Sequence, residues 1–141
     1  MQIGFLFDII SSMKKKPTTI PQLGELEFQI LEHLWQVGEA DVLQTHATVG
    51  VPRKISVNTV GSALERLFKK HLVTREKVSH AYRYQPVMDR DTFMAQRMVA
   101  AAGGLQALSQ QGLLSAFIDA VTDASEETLD ELERLIRDKR R

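Results

Sequence analysis

The hydrophobic pattern of this chain first changes its period directly after Lys70 and His71. Before that point apolar residues recur at helical spacing, whereas LVTREKVSHAYRYQPV alternates like strands with one buried face. Two short alternating runs that meet at VSHA predict a β-hairpin, whose turn lacks the Asn-Gly or Asp-Gly signal that would fix its type. Tyr82 and Tyr84 are assigned to the core of this hairpin rather than to an exposed stacking surface.

Three helices are predicted ahead of the hairpin. LGELEFQILEHLWQVG (Leu23–Gly38) has an apolar stripe, acidic residues in its first turns and a glycine at its end. Asp41 is the predicted N-cap of a shorter second helix, which should end at Gly50 and Pro52. The apolar contacts of that helix are assigned to Val42, Leu43 and Ala47.

The third helix lies in ISVNTVGSALERLFKK (Ile55–Lys70) and should begin at Ser56, a good N-cap. Its buried stripe is predicted to consist of Val60, Leu64 and Leu67, flanked by Ala63 and Phe68. Gly61 lies near the middle of this helix, where glycine costs roughly 1 kcal/mol relative to alanine.

Charge is unevenly distributed, although the formal net charge is zero. Residues up to Met88 include eleven basic and eight acidic side chains, and those from Asp89 onward include seven and ten. Within Arg53–Arg83 eight basic residues are opposed only by Glu65 and Glu76, which gives +6 in 31 residues. Such a stretch points to a surface that faces a polyanion, but a solvated helix and hairpin that are basic by chance would give the same count.

The first twenty-two residues have a different character. Apolar Ile3–Ile10 precedes the basic Lys14–Lys16, which is opposite to the order in a secretory signal. Two interpretations are left: an N-terminal helix that packs on the body, or translation from Met13 that gives a basic, polar arm, which we favour. No apolar run approaches the ~20 residues that cross a bilayer, and the lack of cysteine suits a reducing compartment, so a cytoplasmic protein is expected.

The sequence from Asp89 onward predicts helices with much apolar surface: a first one broken or bent at Gly103–Gly104, a short one in GLLSAFIDAV and a last one with Ser125 as N-cap. About fifty residues cannot easily bury such a surface alone. A symmetric partner is the simplest solution, and folding back onto the preceding domain in a monomer is the alternative. The residues assigned to dimerisation are Met94, Met98, Leu105, Leu113, Leu114, Phe117, Ile118, Leu129, Leu132, Leu135 and Ile136.

Three helices followed by a basic two-stranded hairpin occur in this order in the winged helix-turn-helix, whose third helix enters the DNA major groove. The predicted fold is therefore mainly α with a small β-hairpin. It comprises an N-terminal arm (residues 1–22), a winged helix-turn-helix DNA-binding domain (23–88) and a C-terminal helical dimerisation domain (89–141).

Four segments together resemble the penicillinase repressor (BlaI/MecI-type) family of bacterial transcription repressors. They are LGELEFQILEHLW, SVNTVGSALERLFKKHLVTRE, AYRYQP and ASEETLDELERLI. The resemblance implies a homodimer on a palindromic operator, often released when a membrane sensor protease cleaves the C-terminal domain. No Asn-Phe dipeptide of the kind cleaved in antibiotic-resistance members occurs here, which puts that switch in doubt, and the lack of cysteine excludes the copper-responsive branch.

The resemblance also implies which residues contact DNA. Those in the third helix are Ser56, Asn58, Thr59, Ser62 and Arg66, and those in the wing are Lys77, Ser79, His80 and Arg83. Asn58 suits bidentate recognition of adenine, whereas Arg66, Lys69 and Lys77 suit phosphate. Gly61 falls where relatives often carry a longer side chain, so it either allows close approach to the groove wall or the second helix, or marks a missing contact.

The predicted function is a DNA-binding transcriptional repressor that occludes a promoter as a homodimer. Two alternatives are a winged-helix regulator that senses a small molecule at its dimer interface, and a winged helix that contacts only protein. No enzyme is predicted, because neither a nucleophile with an ordered base nor a phosphate-binding glycine loop occurs. No cofactor is predicted, and no metal site, because the four histidines lie in different elements without ligand spacing.

Overall fold

The structure is a computed structural model that describes residues 21–141. The predictions for Ile3–Ile10 and for a start at Met13 lie outside the described residues. The chain forms two compact units, one ending at Arg97 and one that includes Met98–Arg141. The elements are α1 (Glu25–Val37), α2 (Val42–Thr45), a π-helical turn (His46–Gly50), α3 (Val51–Arg53), α4 (Val57–Lys69), β1 (Val73–Val78), β2 (Ala81–Pro86), α5 (Arg90–Ala101), α6 (Leu105–Leu108), α7 (Gln111–Ala124) and α8 (Glu126–Lys139).

Helix α1 lies within the predicted stretch Leu23–Gly38 and ends at the predicted glycine. Gly24 is its N-cap, and Gly38 ends it with a φ of +91° and an N–H that donates to the carbonyl of Leu34 over 2.7 Å. One face of α1 is fully buried through Ile30 and Leu34. Glycine is favoured at residue 38 because other residues rarely adopt a positive φ.

The second helical segment differs from its prediction in two ways. Leu43 is 67% exposed and Ala47 is also exposed, whereas Thr45 is fully buried. Thr45 can be buried because its hydroxyl donates to the carbonyl of Asp41 over 2.8 Å. The chain also stays helical past Gly50 and Pro52, and it turns only at Lys54, which has a φ of +58°.

Helix α4 provides the inner face around which the first unit packs. Ser56 caps it, as predicted, and the predicted stripe is fully buried. The core consists of Ile30, Leu31, Leu34, Ala40, Val49, Val60, Ala63, Leu64, Leu67, Leu72, Val73, Tyr84 and Phe93. Phe93 belongs to α5, so the start of this helix is part of the first unit, and the Trp35 indole N–H donates to the carbonyl of Met88 over 2.9 Å just before it.

The hairpin is antiparallel, with Val73 opposite Pro86 and Val78 opposite Ala81. Its turn places Ser79 at a φ of +59°, the sign that tight hairpin turns require. Tyr84 is buried as predicted, but the prediction for Tyr82 is wrong, since this ring is 40% exposed. These elements confirm the predicted fold class, while the domain boundaries at residues 22 and 88 stay predictions.

The second unit contains helices joined by sharp breaks. Gly103 and Gly104 have φ values of +98° and +109° and separate α5 from α6, as predicted. Ser125 follows α7 directly and accepts the N–H of Thr128 through its side chain, so one residue ends α7 and caps α8. Across residues 21–141 no helix has the length and apolarity that a membrane crossing requires.

Candidate nucleic-acid interface

The entry to α4 is fixed by two side chains. Ser56 Oγ accepts the backbone N–H of Thr59 over 3.1 Å and lies 3.0 Å from the Thr59 hydroxyl oxygen. The imidazole Nε2 of His46 donates to the carbonyl of Ile55 over 2.9 Å. Ser56 and Thr59, both predicted DNA contacts, therefore also shape the helix N-terminus, and His46 is a positioning group that the sequence did not reveal.

The outer face of α4 is polar and open. Its exposed members are Asn58, Thr59, Ser62, Arg66 and Lys69, all predicted to contact DNA. An open hollow lies along this face, with Val42, Val57 and Gly61 among its lining residues. A Cβ built on Gly61 would meet only Val42 Cγ1, at 3.7 Å, an ordinary van der Waals distance. Packing against α2 therefore does not require this glycine.

The wing presents three of its four predicted contacts. Lys77, Ser79 and His80 are exposed in the strand end and the turn. Arg83 instead directs its guanidinium toward Glu39, with 3.6 Å between Nε and Oε1. The tip of the hairpin is thus accessible, and Arg83 is partly neutralised.

The charge count from sequence overstates the basic surface. Five of the eight basic residues in Arg53–Arg83 form ion pairs, and three of the paired acids come from outside that stretch. The pairs are Arg53–Glu25, Arg66–Glu27, Lys70–Glu27, Arg75–Glu65 and Arg83–Glu39. Lys54, Lys69 and Lys77 have no ion-pair partner within the part of the chain that the structure describes. With the three acids from outside the stretch counted, the net charge of the region falls from +6 to +3.

Arg75 is a basic residue whose contacts lie within the protein. Its guanidinium carbon lies 3.9 Å from the ring centre of Phe68 and 4.2 Å from that of Tyr82, and the group also pairs with Glu65. Cation–π contacts of this kind join helix and wing through one side chain. Sequence reasoning counted Arg75 only as a charge, because these partners meet only in the fold.

Glu27 is the buried acid of this region, with 4% of its surface exposed. Burial opposes its charged form, but the N–H of Gly24, the ammonium of Lys70 and the guanidinium of Arg66 outweigh burial. The pKa of this carboxyl is therefore lowered below 4.5, and it is ionised at neutral pH. From the sequence, the acids of α1 are expected only to favour the helix dipole.

The residues assigned to dimerisation fall into two groups. Met94 packs against the core of the first unit, and Leu105, Leu129 and Leu132 are half-buried. The exposed members are Met98, Leu113, Leu114, Phe117, Ile118, Leu135 and Ile136. Among residues 21–141 there is no cluster of three or more histidine, aspartate or glutamate side chains that could hold a metal ion.

Comparison with known proteins gives matches over most of the chain. The model of the family described as "Penicillinase repressor" matches residues 23–138. The "Transcriptional regulator BlaI" of Mycobacterium tuberculosis strain H37Rv is 37% identical over 120 residues, which cover 81% of this chain and 87% of that protein. The same protein of strain CDC 1551 matches equally.

Solved structures include similar chains at lower identity. The DNA-binding domain of the repressor BlaI is 22% identical, with a TM-score of 0.47, over 52% of this chain and 89% of that domain. The AntR antimony-specific transcriptional repressor is 16% identical, with a TM-score of 0.40, over 69% of this chain and 72% of that one.

Proposed function

Because the chain belongs to the penicillinase repressor family, a family of DNA-binding transcriptional repressors, we propose that it binds a palindromic operator as a homodimer. Each protomer inserts α4 into the major groove of one half-site and lays its wing along the phosphate backbone. The family consists of regulators and not of enzymes, which confirms the prediction that this chain is no enzyme.

The open outer face of α4 is the observation that carries the proposed DNA contact. It offers an amide at Asn58, hydroxyls at Thr59 and Ser62, and cations at Arg66 and Lys69, all of them exposed. Amide and hydroxyl groups can read base edges, while the cations bind phosphate. Sequence preference then depends on the first turns of α4, and affinity on its last turns and the wing.

Uncovered apolar side chains on α7 and α8 support the homodimer. Phe117 and Ile118 are 39% and 36% exposed, and Leu135 and Ile136 are 44% and 53% exposed. Exposed apolar side chains on two helices that contact each other mark an association site. A second copy of the chain would cover it and would give the two-fold symmetry that a palindromic operator has.

Duplex DNA from the region upstream of the gene tests the DNA contact. In an anisotropy titration, Asn58→Ala should weaken binding to this DNA by about 1–3 kcal/mol and leave binding to random duplex unchanged. Lys69→Ala should weaken binding to both duplexes. It should also reduce the slope of log K against log[salt] by about 0.9. Absence of binding to any upstream duplex by the unaltered chain would refute the proposal.

Sedimentation of two α7 variants tests the dimer. Phe117→Asp places a charge among the apolar side chains and should give a monomer with weakened operator binding. Ala116→Asp adds the same charge on the face of α7 that carries Asp119 and Asp123, by helical spacing, and should leave the dimer intact. Equal sedimentation of the two variants would contradict the proposed interface.

The way in which the protein is released from DNA distinguishes the two predicted mechanisms of regulation, proteolysis and ligand binding. Cleavage by a membrane sensor protease would shorten the chain in induced cells, and mass spectrometry would detect the fragments. A ligand at the dimer interface would leave the chain intact and raise its melting temperature. We propose the proteolytic route as the first to test, because the family resemblance implies it.

A further inference from the structure

Glu27 joins the beginning of α1 to the end of α4. Its Oε1 accepts the backbone N–H of Gly24 over 2.9 Å, and Lys70 Nζ lies 2.9 and 3.1 Å from its two oxygens. Its Oε2 accepts Nε of Arg66 over 3.2 Å. A carboxylate with this many donors is held in one position.

Arg66 is bound to Glu27 by only one edge of its guanidinium. Within residues 21–141 its Nη1 and Nη2 donate to no acceptor, and the side chain is 52% exposed. The guanidinium is a rigid planar fork, so fixing Nε also fixes the direction of both Nη groups. The ammonium of Lys70, in contrast, donates both to Glu27 and to the carbonyl of Gln22, the latter over 2.7 Å.

We propose that Glu27 is a positioning residue for DNA binding: it holds Arg66 by Nε so that the Nη groups face a DNA phosphate. The inference rests on the proposed DNA contact of α4. A long, exposed arginine must otherwise lose rotamer freedom when it binds phosphate, and the pairing with Glu27 removes part of that loss beforehand.

Charge alone predicts the opposite effect of Glu27. A carboxylate at the edge of a DNA-binding face repels phosphates, so its removal should strengthen binding. If Glu27 positions Arg66, removal of the carboxylate should weaken DNA binding, although the protein becomes more positive. The sign of the change therefore separates the two roles.

Glu27→Gln is the principal variant, since the amide oxygen can still accept the N–H of Gly24 while the charge is lost. Glu76→Gln is the matched control, because Glu76 is exposed on β1 and has no ion-pair partner among the described residues. Binding to upstream duplex is measured by anisotropy at several salt concentrations. Glu27→Gln should bind about tenfold more weakly, with a salt slope smaller by about 0.9, whereas Glu76→Gln should bind equally or more tightly.

A double-mutant cycle tests whether Glu27 acts through Arg66. In the Arg66→Ala background, Glu27→Gln should cause no further loss. Additive losses, or a Glu27→Gln variant that binds as tightly as Glu76→Gln, would overturn the proposal.

If Glu27→Gln does not fold, Arg66→Lys tests whether Glu27 positions Arg66. Lysine keeps the charge but has one head group, which cannot both pair with Glu27 and project a second donor edge toward phosphate. Weakened binding is expected, and binding like that of the unaltered chain would overturn the proposal. If the unaltered chain itself binds no upstream duplex, the proposed function fails instead.

Discussion

Gly50 lies directly against the imidazole of His46, so that a Cβ on residue 50 would come within 2.4 Å of His46 Cδ2 and 3.0 Å of Val60 Cγ2. The ring cannot move away freely, because its Nε2 holds the carbonyl of Ile55. The π-helical turn before α4 is therefore built around a residue without a side chain.

Gly50→Ala should destabilise the protein by about 1–3 kcal/mol, although alanine favours helix over glycine. The added methyl must displace His46 or α4, and either movement breaks the hydrogen bond between His46 and the carbonyl of Ile55. Urea unfolding followed by circular dichroism measures the change. A stability equal to or above that of the unaltered chain would show that the turn can relax.

Gly61→Ala is expected to act in the opposite direction. The new methyl meets only Val42, at 3.7 Å, so the full helix-propensity gain of up to about 1 kcal/mol should appear as higher stability. The same urea unfolding experiment measures it. Weakened operator binding in this more stable variant would show that DNA approaches residue 61 closely, and unchanged binding would show a position without contact.

Arg75 and Lys77 should behave differently although both are basic residues of β1. Arg75→Met removes a cation that contacts Phe68 and Tyr82, so it should lower the urea midpoint and leave the salt dependence of DNA binding unchanged. Lys77→Met should lower the salt slope by about 0.9 and leave the midpoint unchanged. The reverse pattern would mean that Arg75 reaches DNA.

His33 should make stability depend on pH. It is 8% exposed, and its Nε2 has no hydrogen-bond partner among the residues that the structure covers. Burial lowers the pKa of the imidazole below 6.5, so between its folded and unfolded pKa values the unfolded chain binds more protons. The free energy of unfolding should therefore fall as pH drops below about 6.5.

Urea unfolding at pH 7.5 and pH 5.5 measures this loss. It should shrink in His33→Leu and persist in His80→Gln, which alters an exposed histidine. Glu27 affects stability in a separate pH range. Its pKa is lowered below 4.5, so the stabilisation that it provides is fully present above pH 4.5 and is lost only at more acidic pH. A loss of the same size in His33→Leu would assign the pH dependence to another group.

Local chemistry accounts for what could be predicted from the sequence. Helix caps at Asp41, Ser56 and Ser125 and the glycine stop at Gly38 depend on neighbours only a few residues away. The hairpin follows from alternation in the same way. For this reason the order and type of most elements could be inferred without any tertiary information.

Long-range contacts account for what could not be predicted. Arg66 and Glu27 are 39 residues apart, and no periodicity indicates that they meet. Three of the four acids that pair with the basic stretch likewise come from α1 and the turn after it. The burial of Thr45 does not follow from its sequence, because a polar residue in the core needs a hydrogen-bond partner, here the carbonyl of Asp41, that only the backbone geometry supplies.

The bridge between Ala40 and Tyr84 has a consequence for self-association. Ala40 exchanges two hydrogen bonds with Tyr84, of 3.0 and 2.8 Å, and so covers the free edge of β2 near its middle. The other edge belongs to β1, whose charged centre, Arg75–Lys77, disfavours the addition of a foreign strand. A two-stranded sheet offers two edges to which a foreign strand could add; here Ala40 pairs with one edge, and charged side chains disfavour addition at the other.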